Sequence, residues 1–240
     1  TDLHVGWNSL TSLDVSANTA LTYLYCYGNQ LTSLDVSTNT ALTNLECQNN
    51  QLTSLDMSSN TALIYLWCQN NQLTSLDVSN ILGLHHLELD SNQFTSIDVS
   101  NNTELITLYC ASNALTSLDV SGNTSLRYLR LSHNQLTTLD LSSNIELHDL
   151  TIGNNQLTYL NMRNGVTGQL YNFDATGNSG LTCIETLDPA YATTNWTNID
   201  AGVTFSVICG ATAVITWHVA TTGSDGSGSG TEASPLATIQ

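Results

Sequence analysis

Leucine and other apolar residues recur along most of the chain with a fixed spacing of 21 residues. The clearest copy of this pattern runs from Leu31 to Gln51 and reads LTSLDVSTNTALTNLECQNNQ. A constant period of this size, without insertion or deletion, is typical of stacked supersecondary units that share one continuous core. Successive copies open at Leu10, Leu31, Leu52, Leu73, Phe94, Leu115, Leu136 and Leu157.

Each copy consists of two halves with similar patterns. The first half reads L-T-S-L-D-V-S-x-N, as in Leu31 to Asn39, and the second reads L-x-x-L-x-C-x-x-N, as in Leu42 to Asn50. Apolar and polar residues alternate within each half, which predicts short strands. Equivalent strands of successive copies must pair in parallel. We therefore expect two short strand-like segments per coil, one on each side, joined by turns at the asparagines.

The second half, extended to the next leucine, matches the leucine-rich-repeat signature from Leu21–Leu31 to Leu147–Leu157. Over residues 1–164 the chain therefore resembles secreted bacterial leucine-rich-repeat proteins. The resemblance implies a mainly β repeat solenoid, a right-handed superhelix with a parallel sheet on its concave side. A repeat of 21 residues is short for this family, so we expect little or no helix on the convex side.

Three segments follow from where the pattern starts and decays. Residues 1–164 form the solenoid, whose first coil is incomplete because residues 1–9 match only the end of a copy. Residues 165–210 are predicted to form a degenerate coil and a C-terminal cap closed by a disulfide between Cys183 and Cys209. Residues 211–240 are a linker or, by resemblance, the opening of a truncated pectin-lyase-like β-helix domain.

Two residue types inside the repeat have predicted structural roles. Cys26, Cys47, Cys68 and Cys110 occupy a position that holds leucine or isoleucine in other copies, so we expect buried free thiols. The asparagine that ends the second half is expected to form a structural ladder, in which side-chain amides pair with the backbone of the turns. This ladder comprises Asn29, Asn50, Asn71, Asn92, Asn113, Asn134 and Asn155.

The formal net charge is −17, from 20 acidic residues against three arginines, and the chain has no lysine. Such a surface repels phosphate backbones and anionic membranes, so we expect no nucleic-acid partner. No apolar run reaches the roughly 18 residues of a membrane-spanning helix, so we expect no insertion into a membrane. The predicted disulfide and a composition typical of secreted bacterial proteins indicate a secreted or cell-surface protein. The missing N-terminal Met indicates a mature or excised fragment, and we expect a monomer.

The outward side of the first half hardly varies between copies. Stacking would place like carboxylates about 4.8 Å apart, and hydrogen bonds from Ser, Thr or backbone N–H groups of adjacent coils would offset their repulsion. Two alternatives stay open: calcium bridging along the column, or adsorption of the regular Thr, Ser and Asp array to an ordered surface such as ice or mineral. No cofactor or metal site is predicted outright. The column comprises Asp14, Asp35, Asp56, Asp77, Asp98, Asp119 and Asp140.

The outward side of the second half varies strongly and is rich in aromatic residues. Tyr and Trp provide rigid amphipathic area typical of binding surfaces. Tyr25, Trp67 and Tyr109 recur every second coil, about 9–10 Å apart, a spacing that suits the sugars of a glycan and equally the anchors of a protein. The alternative is an aromatic ladder that only stabilises the sheet. The candidate binding residues are Tyr23, Tyr25, Tyr27, Glu46, Tyr65, Trp67, Glu88, Tyr109, Tyr128 and Arg130.

Catalysis is not expected from these residues. Glu46 and Glu88 would lie about 10 Å apart, at or beyond the upper limit for a glycosidase pair, and no nucleophile motif or phosphate loop is present. The sequence therefore predicts a non-enzymatic extracellular binding and adhesion module that recognises a protein or polysaccharide. The alternatives are a structural spacer or accessory domain of a larger polysaccharide-processing enzyme, or a calcium-assisted adhesion module.

Overall fold

A computed structural model describes residues 1–210. The chain divides into two compact units, Thr1–Cys209 and Gly210–Gln240. The second unit lies, apart from Gly210, outside the described residues, and so does the predicted linker or β-helix opening at 211–240.

The first unit is a parallel β solenoid, as the sequence predicts. Nine strands pair in parallel in the order β1-β2-β3-β4-β5-β6-β7-β9-β11, which we call the long sheet. Equivalent residues of successive coils face one another, as in the pairing of Leu24 with Leu45 and of Leu45 with Leu66. These strands are β1 (Asp2–His4), β2 (Tyr23–Tyr25), β3 (Asn44–Glu46), β4 (Tyr65–Trp67), β5 (His86–Glu88), β6 (Thr107–Tyr109), β7 (Tyr128–Arg130), β9 (Asp149–Thr151) and β11 (Asn172–Asp174).

The first halves of the coils form a second, short sheet only near the C-terminal end. Its order is β13-β12-β10-β8, with β8 (Thr138–Asp140), β10 (Tyr159–Met162), β12 (Cys183–Thr186) and β13 (Thr204–Ser206). Earlier first halves contain no assigned strand, so the expectation of two strands in every coil is wrong for them. The repeat position held by Thr138 and Tyr159 is serine in those coils, for example Ser117. Threonine and tyrosine favour strands more than serine does.

The core is a continuous stack of apolar side chains between the two halves of each coil. Leu24, Leu45 and Leu66 on the long sheet are fully buried. The four repeat cysteines are also buried and free. Burial raises the pKa of the Cys26 thiol to about 12, which leaves it protonated and unreactive at neutral pH.

The asparagines that end the second halves hold adjacent coils together. The Asn50 amide donates from Nδ2 to the carbonyls of Cys26 (3.0 Å) and Cys47 (3.1 Å), while its Oδ1 accepts from the N–H of Leu31 (3.0 Å). Asn178 makes the same bonds beyond the regular repeats, so the degenerate coil continues the column. Each member therefore pairs backbone groups that the turn would otherwise bury unsatisfied.

A second asparagine column, predicted from the sequence only as turn residues, runs through the first halves. The Asn60 amide donates from Nδ2 to the carbonyls of Val36 and Asn39, both at 3.0 Å. Its Oδ1 is buried without a partner in the described part of the chain. Ile81 interrupts this column and is fully buried. The fully buried members are Asn39, Asn60, Asn102, Asn123 and Asn144.

The outward side of the first halves, which we call the constant face, carries the aspartate column. These aspartates accept hydrogen bonds within their own coil, so the prediction of bonds to adjacent coils is wrong. The N–H of Ser37 donates to Asp35 Oδ1 at 2.9 Å, and the same bond recurs from Ser16 to Asp14. Hydrogen bonding to Ser37 lowers the pKa of Asp35. These aspartates stay ionised because a short local turn supplies the donor that the carboxylate needs.

The residue before each ladder asparagine adopts a left-handed backbone conformation. Gly28 fulfils this demand with φ +63°, and Ser112 and His133 fulfil it with φ of 56° and 59°. This conformation strains residues that carry a Cβ atom, which explains the glycine and asparagine at several of these positions.

Replacing Ser112 with glycine should therefore raise the free energy of unfolding by about 1 kcal/mol. Ser112 is exposed, so little else changes. Chemical denaturation measures the effect. Ser117→Gly is the matched control, because Ser117 is exposed without a positive φ and should lose stability. Equal effects at both positions would contradict the role of the backbone conformation.

The C-terminal segment closes the end of the core. Cys183 and Cys209 form the predicted disulfide, with a Cα–Cα distance of 5.8 Å. Trp196 is only 2% exposed and stacks on Phe173, with ring centroids 4.4 Å apart. It follows α1 (Pro189–Asn195), and within residues 1–210 no helix is long and apolar enough to cross a membrane.

Candidate functional site

The variable residues lie together on the outward side of the long sheet, which we call the outer face. In β2 the central Leu24 is fully buried, while Tyr23 and Tyr25 on either side point outward and Tyr23 is 37% exposed. The alternation of the strand produces this arrangement in every coil. The structure therefore places all ten candidate residues on one surface, either in the strands or, for Tyr27, two residues after one.

Aromatic rings on the outer face stack along the column of coils. The ring centroids of His4 and Tyr25 are 4.2 Å apart, and those of Tyr65 and His86 are 4.6 Å apart. Because parallel in-register strands place equivalent side chains side by side, ring faces turn toward the neighbouring coil. In these two pairs, ring edges and hydroxyl groups are left for a partner.

A cation takes the place of a second ring in the C-terminal half of the outer face. The guanidinium carbon of Arg130 lies 4.2 Å from the centre of the Tyr109 ring, a cation–π contact. Asp90 and Glu88 lie in nearby coils, and the charge of Arg130 partly counteracts the rise of their pKa values. Tyr109 and Arg130, which the sequence placed in separate coils, thus act as one unit.

The centre of the outer face is acidic. Glu46 pairs in register with Trp67, and Trp67 pairs with Glu88, so the indole lies between two carboxylates. Burial raises the pKa of Glu46, and burial with the nearby Asp90 raises that of Glu88. Both carboxylates are half-buried, which is why their charged forms are less favourable than in water.

Several neighbours of the predicted residues belong to the same surface. His4 and His86 stack on Tyr25 and Tyr65, and Gln48 donates to Glu46 with 3.5 Å between Nε2 and Oε2. The repeat register alone could have identified these residues. His4, His86 and Gln48 occupy the repeat positions of Tyr25, Tyr65 and Tyr27. Within residues 1–210, no group of three or more His, Cys, Asp or Glu side chains could hold a metal ion.

Comparison with known proteins agrees with this geometry. The family described as Leucine Rich repeats (2 copies) matches residues 103–143. No curated protein sequence matches the chain significantly. The chain thus contains leucine-rich repeats, which fits its 21-residue period, and this fold is typical of protein-binding modules.

Solved structures extend the likeness to most of the chain. The functional domain of InlJ from Listeria monocytogenes, which includes a cysteine ladder, is 34% identical with a TM-score of 0.65, over 78% of this chain and 49% of that one. The Leptospira interrogans leucine-rich-repeat protein LIC12759 is 20% identical with a TM-score of 0.64, over 80% and 57%. This chain thus spans about half the length of these two proteins.

A plant structure shares the fold at a similar level. It is the ectodomain of the membrane receptor kinase GASSHO1/SCHENGEN3 from Arabidopsis thaliana, in complex with CASPARIAN STRIP INTEGRITY FACTOR 2. The identity is 21% and the TM-score 0.61, over 85% of this chain and 30% of that one. At this identity the likeness concerns the fold alone.

Proposed function

We propose that this chain is a non-enzymatic extracellular module that binds a protein partner through the outer face of the long sheet. The observation that carries the proposal is the contrast between the two sides of each coil. The constant face repeats the same short Asp–Ser turn in successive coils. The outer face changes from coil to coil and presents aromatic and charged groups. A surface freed from the demands of the repeat can be adapted to one partner.

The packing of the rings favours a protein over a polysaccharide. Sugar recognition by stacking requires an open ring face, but one face of Tyr25 is against His4 and one face of Tyr109 is against Arg130. The exposed ring edges, hydroxyls and charges resemble the mixed surfaces that proteins recognise. The two-coil spacing of Tyr25, Trp67 and Tyr109 keeps a glycan as the second candidate.

Two observations support an extracellular location. The Cys183–Cys209 disulfide is stable in oxidising compartments. One of the solved structures that share the fold is the ectodomain of a membrane receptor. A spacer or accessory domain would also be extracellular, but it would not bind a partner through the outer face.

The test compares two tyrosines that differ in location. A photo-crosslinking residue at position 109 should capture a discrete extracellular protein, whereas one at position 191, on α1, should not. For the captured protein, Tyr109→Ala should weaken binding by about tenfold or more, as expected for an interface anchor. Binding is measured by titration calorimetry.

Tyr191→Ala is the matched control, because it removes the same side chain from an exposed position on α1, away from the long sheet. It should leave the affinity within about twofold. Saturable binding of a polysaccharide that Tyr109→Ala abolishes would favour the glycan candidate instead. Equal affinities of both variants for the captured protein would contradict binding through the outer face.

A further inference from the structure

The central row of the outer face carries acidic groups that form no ion pair within residues 1–210. Glu46, Trp67 and Glu88 lie side by side on three adjacent strands, with about 4.8 Å between neighbouring strands. Among the ion pairs within residues 1–210, none involves Glu46 or Glu88. Two half-buried carboxylates thus flank one indole with no cation between them.

Buried polar atoms beside this row also lack partners. Gln48 is only 9% exposed, and its amide points to Glu46, with 3.5 Å between Nε2 and Oε2. In the described part of the chain, Gln48 Oε1, Gln69 Oε1 and Trp67 Nε1 are buried without any hydrogen bond. A buried polar group without a partner is costly. These three atoms, unlike the buried asparagine oxygens of the first halves, all lie beside the half-buried carboxylates of the outer face.

The inventory of these atoms specifies the chemistry of that ligand. Two carboxylates and two amide oxygens accept hydrogen bonds, whereas the indole N–H of Trp67 is the single unpaired donor. A complementary group must therefore be rich in donors and positively charged. A sugar hydroxyl supplies about as many acceptors as donors, so it would leave most of these oxygens unpaired.

The outer face already contains one contact of the required type. The guanidinium carbon of Arg130 lies 4.2 Å from the centre of the Tyr109 ring. Tyr109 is two coils and Arg130 three coils beyond Trp67 in the same column. At Trp67 the neighbouring coils contribute glutamates instead of a cation. Trp67 thus provides an aromatic ring like that of Tyr109, but no arginine lies beside it in the adjacent coils.

The geometry points to an arginine side chain of the partner protein as the occupant of the Glu46–Trp67–Glu88 row. This inference rests on the proposed function and deepens it. A guanidinium is planar, stacks on an indole and offers five donors, which matches the row better than the point charge of a lysine. The net charge of −17 would attract a basic partner surface. Burial raises the pKa of both glutamates, and a bound cation would stabilise their ionised forms.

The experiment titrates Nα-acetyl-arginine amide into the full chain and follows the indole N–H resonance of Trp67 by NMR, assigned with Trp67→Phe. A saturable shift is expected, with a Kd in the millimolar range for a single side chain. Nα-acetyl-citrulline amide has the same shape without the charge and should produce no saturable shift.

Two charge-matched variants locate the effect. Glu46→Gln with Glu88→Gln should weaken binding of the arginine amide by about tenfold or more. Asp35→Asn with Asp98→Asn removes the same charge from the exposed constant face and should leave the Kd within about twofold. Both variants keep the side-chain size, and their amide fingerprint spectra verify folding.

Two results would overturn the inference: no saturable shift of Trp67, or equal weakening in both double variants. The proposed function has its own readout, since capture at position 109 and the Tyr109→Ala comparison do not involve these glutamates. If position 109 captures a protein but the arginine amide does not bind at Trp67, only this inference is rejected. Loss of capture at position 109 would reject the proposed function whatever the arginine amide does.

Discussion

Replacing Asn92 with alanine is expected to lower the free energy of unfolding by about 4 kcal/mol, because it leaves one buried N–H unpaired, which costs about 1–3 kcal/mol, and removes hydrogen bonds that contribute about 1 kcal/mol each. The Asn92 amide donates from Nδ2 to the carbonyls of Cys68 (3.1 Å) and Leu89 (3.0 Å), and its Oδ1 accepts from the N–H of Leu73 (3.0 Å). Alanine removes these bonds and a longer one to the carbonyl of Asp90 (3.4 Å), and it leaves the N–H of Leu73 without a partner. The carbonyls of Cys68 and Leu89 each keep one amide donor, from Asn71 and Asn113. Equilibrium unfolding in urea, followed by circular dichroism, measures the loss.

Asn80→Ala is the matched control for this prediction. Asn80 belongs to the same coil, but its side chain is exposed, so its replacement should change stability by less than about 0.5 kcal/mol. Asn92→Asp should destabilise at least as much, since aspartate loses the donated bonds and places a buried carboxylate oxygen against the carbonyls of Cys68 and Leu89. Similar stabilities for the alanine variants at 80 and 92 would show that the asparagine ladder does not hold the coils together.

Replacing Cys183 and Cys209 with serine should lower the free energy of unfolding by about 3.5 kcal/mol, the loop-closure value for this separation. The two cysteines are 26 residues apart, and the segment between them contains α1, Trp196 and Phe205. Without the cross-link this segment gains freedom in the unfolded chain, and the cover of the last coil loosens. The unfolding midpoint of the oxidised protein, compared with that of the double variant, measures the effect.

Reduction of the wild-type protein provides the control for the disulfide. Under reducing conditions the wild type and the double variant should unfold at the same midpoint, because the four remaining cysteines are free in both. Burial raises the pKa of these thiols, as for Cys26, so they do not reshuffle with the cap while the coils are folded. If the unfolding midpoint of the wild-type protein is the same with and without reductant, the disulfide does not stabilise the fold.

Stability and binding rest on different atoms of each coil. The ladder asparagines bond the backbone inside the turns, whereas the proposed contacts use side chains that point away from the core. Tyr109 and Trp67 can therefore change between related chains without weakening the column at Asn113 or Asn71. This separation lets one repeat supply many binding surfaces, and it explains why the fold is easier to identify than the partner.

The sequence by itself determined the features that every coil must repeat. The 21-residue period predicts the stacking, the alternation around residues such as Leu24 predicts the parallel strands, and the exchange of cysteine with leucine predicts a buried position. The pair Cys183 and Cys209 lies outside the repeat, which predicts its disulfide. These inferences succeed because a solenoid contacts mainly its own neighbouring coils, so local patterns carry most of the structural information.

Only the tertiary structure decided how neighbouring coils share their polar groups and side chains. The Asp35 carboxylate turns to Ser37 in its own coil, a local choice that the pattern does not distinguish from a bond between coils. The repeat pattern left open whether the outer-face rings bind a partner or form a ladder, and the structure stacks one face of Tyr25 on His4. The unpaired amide oxygen of Gln48 is revealed only when the strands are in register. Such details depend on distances between coils, and a repeat pattern specifies order along the chain but not the contacts across it.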